Sequence, residues 1–597
     1  MTTHIFKNNP VIYLIRKMWK FAGTNRRSVI LFIFLFVIAN AIGTVEPLII
    51  GKVLNIIQEQ GVKQDNIYVI LAFLTLFLAQ ELGFWIFHGY GRILENKTSF
   101  IVRKNFKAYM LEGTMNLPIE WHVDHHSGDT IDKIEKGAEA LSSFASRTFE
   151  LIQSVIFLIT AYVVIMFYEP AATAFLIIAT AIAFYILIRF DRVLVPGYRI
   201  VNRLDNKISA KIFDTISNIT TVITLRIKSP VLDSIIAHME EPFSQYNTNN
   251  IRNEQKWFSA SVIGRLSVVL ILSGYVYFNF KAGNMILSGT IYILYSYVNQ
   301  VRETFYRFAY LYGDIIRQRT SLMNSEEISK EFAEQVHVPP ALLPKEWSSI
   351  EIRNLSFSYH REDGAMRHLD EISMRISKGE KIAVIGESGG GKSTFLKVFR
   401  DLYHPKSIDL AIDGAKEGGG FSAISDSISL VPQDPEIFST TIRENITMGV
   451  DYSEQHIEVF TDMARFTDIV KRLPKKLDSS IVEKGVNLSG GEKQRLALSR
   501  GLLASIDKEI ILLDEPTSSV DFHNELAIYK NIFTAFEGKT VISSIHRLHL
   551  LSLFDTVYFF KDGRIIASGS LAELQASSPD FQMLWQKYIK TRDAAAE

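Results

Sequence analysis

Long apolar runs, all before about residue 320, constrain this 597-residue chain more than any other feature. The hydrocarbon core of a bilayer is about 30 Å thick, and about 20 apolar helical residues cross it. Six stretches suit that length. They are SVILFIFLFVIANAIGTVEPLII in 28–50, IYVILAFLTLFLAQELGFWIF in 67–90, LIQSVIFLITAYVVIMF in 149–168, ATAFLIIATAIAFYILI in 171–190, WFSASVIGRLSVVLILSGYVYF in 257–280 and MILSGTIYILYSYV in 285–310. Only Tyr168-Glu169-Pro170-Ala171 separates the third from the fourth, and Lys281–Asn284 joins the fifth to the sixth. Helices satisfy their own backbone in lipid, so the expectation is an α-helical, six-span transmembrane domain over 1–325.

Lysine and arginine set the expected orientation. The connection between spans two and three carries Arg92, Lys97, Arg103, Lys104, Lys107 and Arg147; that between four and five carries Arg192, Arg199, Arg203, Lys207 and Lys211, among others. The opposite loops hold little beyond Lys52, Lys63 and Lys281. The positive-inside rule puts both termini in the cytoplasm, and the setting expected is a bacterial inner membrane. No small-residue cleavage site follows the first run, so a cleavable signal is not expected. YLIRKMWKFAG mixes apolar and basic residues, as a segment lying on the membrane surface would.

Lys+Arg and Asp+Glu are both 64, so no global basic field points to nucleic acid. Cysteine is absent, which excludes disulfides, thiolate metal sites and a cysteine nucleophile. After the apolar half, 326–347 turns charged and then proline-broken, as a linker does. Over 348–590 strand-like runs (KIAVIG, EIILLDE, KTVISSIH) alternate with helical ones, implying an α/β domain with a mainly parallel sheet.

Three motifs in this second domain carry chemistry. Gly386-Glu387-Ser388-Gly389-Gly390-Gly391-Lys392-Ser393-Thr394 follows an apolar strand and opens a helix, the context of a P-loop. Its backbone N–H groups would wrap the β-phosphate of ATP, Lys392 would reach the outer phosphates and Ser393 would ligate Mg²⁺. EIILLDE reads as a buried strand ending in Asp514, suited to the Mg²⁺ site, and Glu515, suited to orient or deprotonate the attacking water. Leu488-Ser489-Gly490-Gly491-Glu492-Lys493-Gln494-Arg495 opens a helix, a second ready anion site.

These residues resemble the ATP-binding cassette (ABC) transporters, and among them the type IV exporters that fuse membrane and nucleotide domains. The resemblance covers nearly the whole chain. LSGGEKQR is similar to the family signature, and the resemblance then implies further roles. Tyr359 would stack on adenine. Gln433 would be the Q-loop glutamine that senses Mg²⁺ and the membrane domain. Ser518 to Asp521 would form the D-loop, and His546 would be the switch histidine at the γ-phosphate. Leu488, Ser489, Gly490, Gly491, Glu492 and Gln494 would complete the ATP site of a partner, so the resemblance implies a dimer. No motif is degenerate, which favours a homodimer; a heterodimer with a separate chain is the alternative. Coupling helices are implied within 117–129 and 213–222.

Other signals were weighed beside these. His122, Asp124, His125 and His126 invite a metal site if one helix face carries them, against the blander reading of a polar docking segment. Charged groups in spans suggest function by default. Glu46 and Arg265 are the candidates for a substrate path, and Glu303 and Arg307 have the spacing of a helix pair. The Gly418–Gly420 stretch departs from the family pattern and predicts a remodelled loop. The function expected is ATP-driven export of a small or amphipathic substrate; an importer with exporter fold or a lipid flippase are the alternatives.

Overall fold

The computed structural model describes residues 9–334, 342–359, 368–434, 436–481 and 488–596. The chain divides into two compact units, Met1–Asn116 with Ser127–Phe332, and Leu117–His126 with Ala333–Glu597.

The first unit is helical: α1 (Pro10–Ala22), α2 (Arg26–Gly43), α3 (Glu46–Gln60) and α4 (Ile67–Met115) come first. Beyond α5 (Ile119–Asp124), which belongs to the second unit, come α6 (Ser127–Ser146), α7 (Thr148–Tyr168), α8 (Pro170–Ser217), α9 (Ile219–Thr224), α10 (Lys228–Glu240), α11 (Phe243–Ala282) and α12 (Ser288–Glu334). At 1.5 Å per residue the 49 residues of α4 reach about 74 Å, more than twice the hydrocarbon thickness. Among the described residues, five segments are long and apolar enough to cross a membrane: Pro10–Gln60, Ile67–Met115, Thr148–Tyr168, Pro170–Ser217 and Lys228–Ala282. The sixth stretch, 285–310, is helical from Ser288 but less apolar, since Arg302, Glu303 and Arg307 fall in its second half.

The first expected span, 28–50, is broken in two. Pro47 has no N–H to donate, and the helix stops at Gly43 and restarts at Glu46, with Pro47 in its first turn. A break at membrane depth must satisfy the carbonyls it frees. The hydroxyl of Tyr297, fully buried, donates to the Thr44 carbonyl (2.6 Å), and the Thr44 hydroxyl donates to Ala41 (2.8 Å).

Three further expectations change. The amphipathic α1 turns Leu14, Met18 and Phe21 into protein, with Phe21 edge-on to Phe106 at 5.1 Å; only Ile15 and Trp19 keep large apolar surface outside. Glu303 and Arg307 do not pair, since Glu303 accepts from Asn299 (3.0 Å) and Arg307 donates to Gln153. The linker 326–347 begins as the end of α12, which its helix-forming residues continue to Glu334, and ends with Leu343 and Trp347 buried in the second unit's core; 335–341 lie outside the described residues.

In the second unit, the order is β1 (Ser349–Phe357), β2 (Leu369–Ser377), β3 (Lys381–Gly386), α13 (Lys392–Phe399), β4 (Ser407–Ile412), β5 (Ala415–Glu417) and β6 (Ile428–Val431). A helical stretch follows: α14 (Ile442–Thr447), α15 (Glu454–Met463), α16 (Thr467–Arg472) and α17 (Gly490–Leu503). Then come β7 (Ile510–Asp514), α18 (Phe522–Ala535), β8 (Thr540–Ser544), β9 (Thr556–Lys561), β10 (Arg564–Gly569), α19 (Leu571–Ser577) and α20 (Pro579–Ala596).

Strands β2-β1-β4-β5 make an antiparallel sheet, and β10-β9-β3-β8-β7-β6 a sheet parallel except at β10. Alternation buries both faces of the second sheet. Ile382, Val384, Leu512 and Ile542 enter one core, while Ala383, Ile385, Ile511, Leu513 and Val541 enter the other. The stretch expected to be remodelled forms a tight β4–β5 hairpin at Asp413-Gly414, and Gly420 opens a 3₁₀ turn that buries Phe421 and Ile424.

In the first unit, glycines let α3 and α12 approach closely. A Cβ on Gly289 would sit 1.9 Å from the Gly51 carbonyl oxygen, and one on Gly51 would strike Ile293 at 2.4 Å. Gly289→Val therefore forces the two helices apart. It should cost about 1–3 kcal/mol and lower the thermal unfolding midpoint of the purified protein, with wild-type stability refuting the packing argument.

Candidate active site

The parallel order β3-β8-β7-β6 aligns four loops at the carboxyl ends of its strands, where open α/β sheets bind ligands. The P-loop follows β3, His546 follows β8, Asp514 and Glu515 end β7, and Gln433 follows β6.

In the P-loop, Gly386 has φ 148°, and a Cβ there would lie 2.1 Å from the Phe560 carbonyl oxygen. Only glycine fits. The chain then turns through Gly389 and Gly391 into α13, whose first N–H groups have no partner within the helix. Lys392 is buried, its ammonium donating to the carbonyls of Gly386 (2.9 Å) and Glu387 (3.1 Å). Burial pushes its pKa down, and the nearby carboxylates of Glu515 and Asp514 oppose that. Glu387, Ser388, Gly390 and Thr394 complete the loop.

Asp514 is 3% exposed, yet its partners are hydroxyls: Ser393 and Ser544 both donate to Oδ1 at 2.8 Å. Among the described residues no cation lies within ion-pair distance of it. Buried carboxylates are ordinarily paired or coordinate metal, and the donor set of a hydroxyl and a carboxylate is one a hard cation accepts. The site fits Mg²⁺ in that respect. The Gln433 side-chain amide donates to Glu515 Oε2 at 2.9 Å.

Glu515 is held from several sides. His546 Nε2 lies 2.5 Å from Oε1, and Gln433 takes the other oxygen. Its backbone is left-handed, φ 46°, a conformation that side-chain-bearing residues adopt at a cost. Three bonds impose it. The Glu515 N–H donates to the Ser544 hydroxyl (2.9 Å), and its carbonyl accepts from Gln494 (3.1 Å) and from the Ser518 N–H (3.2 Å). Ser544 thus touches both acidic residues. It lies opposite Asp514 as the last residue of a fully buried strand, two residues before His546.

The signature residues separate into two groups. Ser489 and Gly490 face outward at the start of α17, where Ser489 caps the helix and Glu492 returns its carboxylate to the Ser489 N–H (2.9 Å). That bond, with help from Arg472, holds the Glu492 carboxyl below its usual range. Leu488 is buried in the core. Gln494 corrects an expectation: assigned with the partner-facing residues, it turns inward, 4% exposed, bonding Ser518 Oγ (2.9 Å) and the Ser519 N–H (2.8 Å) of its own D-loop. Five residues beyond Ser489 is about 140° further round the helix, so Gln494 faces the other side. Residues 482–487, just before the signature, lie outside the described residues.

Asp521 caps α18 through the Asn524 N–H (3.0 Å). Tyr359 is half-buried, meeting Phe357, His368 and Tyr403 edge-on at 4.9, 4.9 and 5.0 Å. Tyr403 leads to the coupling segment. Leu117–His126 clusters with this unit, and Glu120 and Asp124 of α5 add to the burial that raises the Tyr403 pKa. The histidines there do not gather on one face: α5 ends at Asp124, His125 is extended and stacks on Trp121 at 4.2 Å, and His122 and His126 do not share a helix face. No group of three metal-binding side chains occurs among the described residues. The second coupling stretch contains α9, a six-residue helix. Glu46 and Arg265 are both exposed in the first unit, and neither joins this site.

Comparison with known proteins follows the same division. The family model for the ABC transporter transmembrane region matches residues 29–305, and the model described as ABC transporter matches 369–518. An uncharacterized ABC transporter ATP-binding protein, YfiC of Bacillus subtilis, is 24% identical, with 94% of this chain and 92% of YfiC covered. An ATP-dependent lipid A-core flippase of Colwellia psychrerythraea is 27% identical over 93% of each chain. The mitochondrial iron-sulfur clusters transporter ATM1 of Saccharomyces cerevisiae is 26% identical over 79% of this chain and 69% of its own. Among solved structures, a bacterial Atm1-family ABC exporter with ATP bound superposes with TM-score 0.80 at 22% identity, covering 95% of this chain and 98% of that one.

A Cβ on Gly491 would lie 2.7 Å from the Ser519 carbonyl oxygen, so the start of α17 rests on the D-loop backbone. Gly491→Ala should displace both. ATPase activity should fall on the order of a hundredfold while ATP still binds the P-loop, measured by nucleotide-binding fluorescence; near-normal turnover would refute the contact's importance.

Proposed function

The chain belongs to the ATP-binding cassette transporters of exporter architecture, an ATPase coupled to transport, and on that premise we propose that it works as a homodimer exporting a small or amphipathic substrate. Six crossings, with both termini and both long connections in the cytoplasm of an inner membrane, complete the reading. One observation carries the dimer. Ser489 and Gly490 present an exposed helix N-terminus, and among the described residues that turn makes no hydrogen bond to 386–394. Such a terminus suits an anion, and the anion available in this reading is the γ-phosphate on a partner's P-loop.

Hydrolysis rests on groups already positioned. The N-terminal amides of α13 and the Lys392 ammonium bind the phosphate oxygens, and their fixed charge favours the transition state. Glu515, gripped by His546 and Gln433, orients water for in-line attack on the terminal phosphorus and takes its proton. His546 then faces the phosphate once that contact opens. A magnesium ion would be held by Ser393 and Asp514 and would neutralise charge on the outer phosphates. Gln494, bonded to Glu515, Ser518 and Ser519, ties each signature helix to the hydrolytic carboxylate of its own chain. Closure at one site is thereby felt at the other.

Coupling in this reading runs through α5, with Glu120 and Asp124 near Tyr403, which touches the adenine-side Tyr359. Tilting of the long helices then changes access. Glu46 and Arg265, both exposed on a single chain, would face a substrate only in the assembled dimer. Flippase action is the second reading, favoured by the full-length likeness to the lipid A-core flippase. Import is the direction the same motifs leave as an alternative.

Glu515→Gln should bind ATP, trap closed nucleotide domains and cut turnover at least about a hundredfold. The decisive assay is ATP-driven uptake into inside-out vesicles holding this chain alone, with that variant as blank. Uptake above the blank supports export by a homodimer; ATPase without uptake of any drug, lipid or peptide overturns export, and silence of both overturns the homodimer.

A further inference from the structure

Two charged residues that have no part in the phosphate cradle meet behind Glu515. Glu525 in α18 is 3% exposed, and a carboxylate buried so deeply must be paired. Its two oxygens are divided between partners. Oε1 accepts from the Thr517 hydroxyl at 2.7 Å, and Oε2 accepts from Arg547 Nη1 at 3.0 Å. His549 Nε2 comes within 3.4 Å of Oε2 without making a hydrogen bond. Burial holds the His549 pKa below its usual range, so at neutral pH the imidazole is uncharged and Arg547 is the cation that balances Glu525.

The same guanidinium reaches the backbone. Nη1 donates to the Val520 carbonyl at 2.9 Å, and Nη2 donates more loosely to the Ser518 carbonyl at 3.4 Å. These carbonyls sit in an irregular turn, where donors must come from elsewhere. Glu525 thus holds both ends of the 517–520 turn, Thr517 directly and Val520 through Arg547. A planar fork of donors serves a carboxylate and two carbonyls in one geometry; the single ammonium of a lysine does not.

This turn is the one on which Glu515 rests, since the Ser518 N–H donates to the Glu515 carbonyl. Arg547 also follows His546 directly in the chain, and His546 meets the Glu515 carboxylate. The contacts therefore close a ring. It runs from the Glu515 side chain to His546, along the chain to Arg547, across to the Ser518 carbonyl, and back through the Ser518 N–H to Glu515. A cavity of about 240 Å³ lies against the ring, and Glu515, Ser518, Glu525, His546 and Arg547 all line it. Close packing does not fix the ring on that side, so its polar bonds must.

We propose that Arg547 is a positioning residue for hydrolysis: braced on Glu525, it holds the 518–520 backbone and so sets the aim of the Glu515 carboxylate. The inference deepens the hydrolysis reading and rests on Glu515 being the group that acts on water.

The test uses the full chain in nanodiscs, with ATP hydrolysis, ATP affinity and thermal unfolding measured on each variant. Arg547→Lys keeps a cation beside Glu525 and loses the fork. Its kcat should fall about tenfold, while KM for ATP stays within about twofold and the unfolding midpoint stays near wild type. A proportional loss of midpoint, ATP affinity and kcat would mark a structural residue and overturn the proposal. Arg547→Ala should be slower still, and millimolar guanidinium, admitted by the cavity, should restore part of its kcat but none to Glu515→Gln. Glu525→Gln should lower kcat as Arg547→Ala does. Because the two residues act in series, the double variant should be no slower than the slower single. Additive losses in the double variant, or wild-type kcat in Arg547→Lys beside an inactive Glu515→Gln, overturn this inference alone. Near-normal hydrolysis by Glu515→Gln overturns the hydrolysis reading and this inference with it.

Discussion

The left-handed backbone at Glu515 is the point on which the nucleotide-binding unit depends. A residue with a side chain at φ 46° is held there only because its surroundings overdetermine it. Ser544 on the neighbouring strand takes its N–H, while Gln494 from the signature helix and the Ser518 N–H take its carbonyl. The carboxylate is consequently aimed at His546 and Gln433 instead of continuing the strand. Four segments, carrying Gln433, Gln494, Glu515 with Ser518, and Ser544 with His546, therefore meet at one residue. Moving any of them moves the hydrolytic group, which is a plain physical basis for coordinating hydrolysis with signature and D-loop position.

The same residue pair shows how one strand end serves two chemistries. Asp514 stays in register, buried, and meets only the hydroxyls of Ser393 and Ser544. Glu515, one residue on, leaves the strand and reaches the cleft. A buried carboxylate with hydroxyl partners suits a cation, and a carboxylate held by an imidazole and an amide suits water. Neighbouring residues acquire separate tasks because the backbone turns between them.

In the membrane unit the governing constraint is that no backbone group be left open. Pro47 interrupts the first span, and Tyr297, remote in sequence, supplies the donor that the break demands. Gly51 and Gly289 let α3 and α12 approach closely enough for that bond to be made. Elsewhere, Gly264 clears space for the stem of Arg302. Small residues in this unit are thus arranged around a few large or polar side chains whose positions matter.

Much was readable before any coordinates. Apolar length and basic-loop asymmetry determine a polytopic helical domain, because lipid leaves a helix few alternatives. Local glycine patterns determine the P-loop and the signature turn, since their chemistry is carried by backbone over a few consecutive residues. The tertiary structure alone decided what depends on facing. The sequence marks a span at 28–50 but not its break or the tyrosine that heals it. It marks Gln494 as part of the signature but not its inward turn onto Glu515, and it singles out Arg265 while passing over Arg302, which lines a cavity between α8, α11 and α12. Residue type and spacing report what a side chain is able to do; which neighbours it meets is settled by packing between segments hundreds of residues apart.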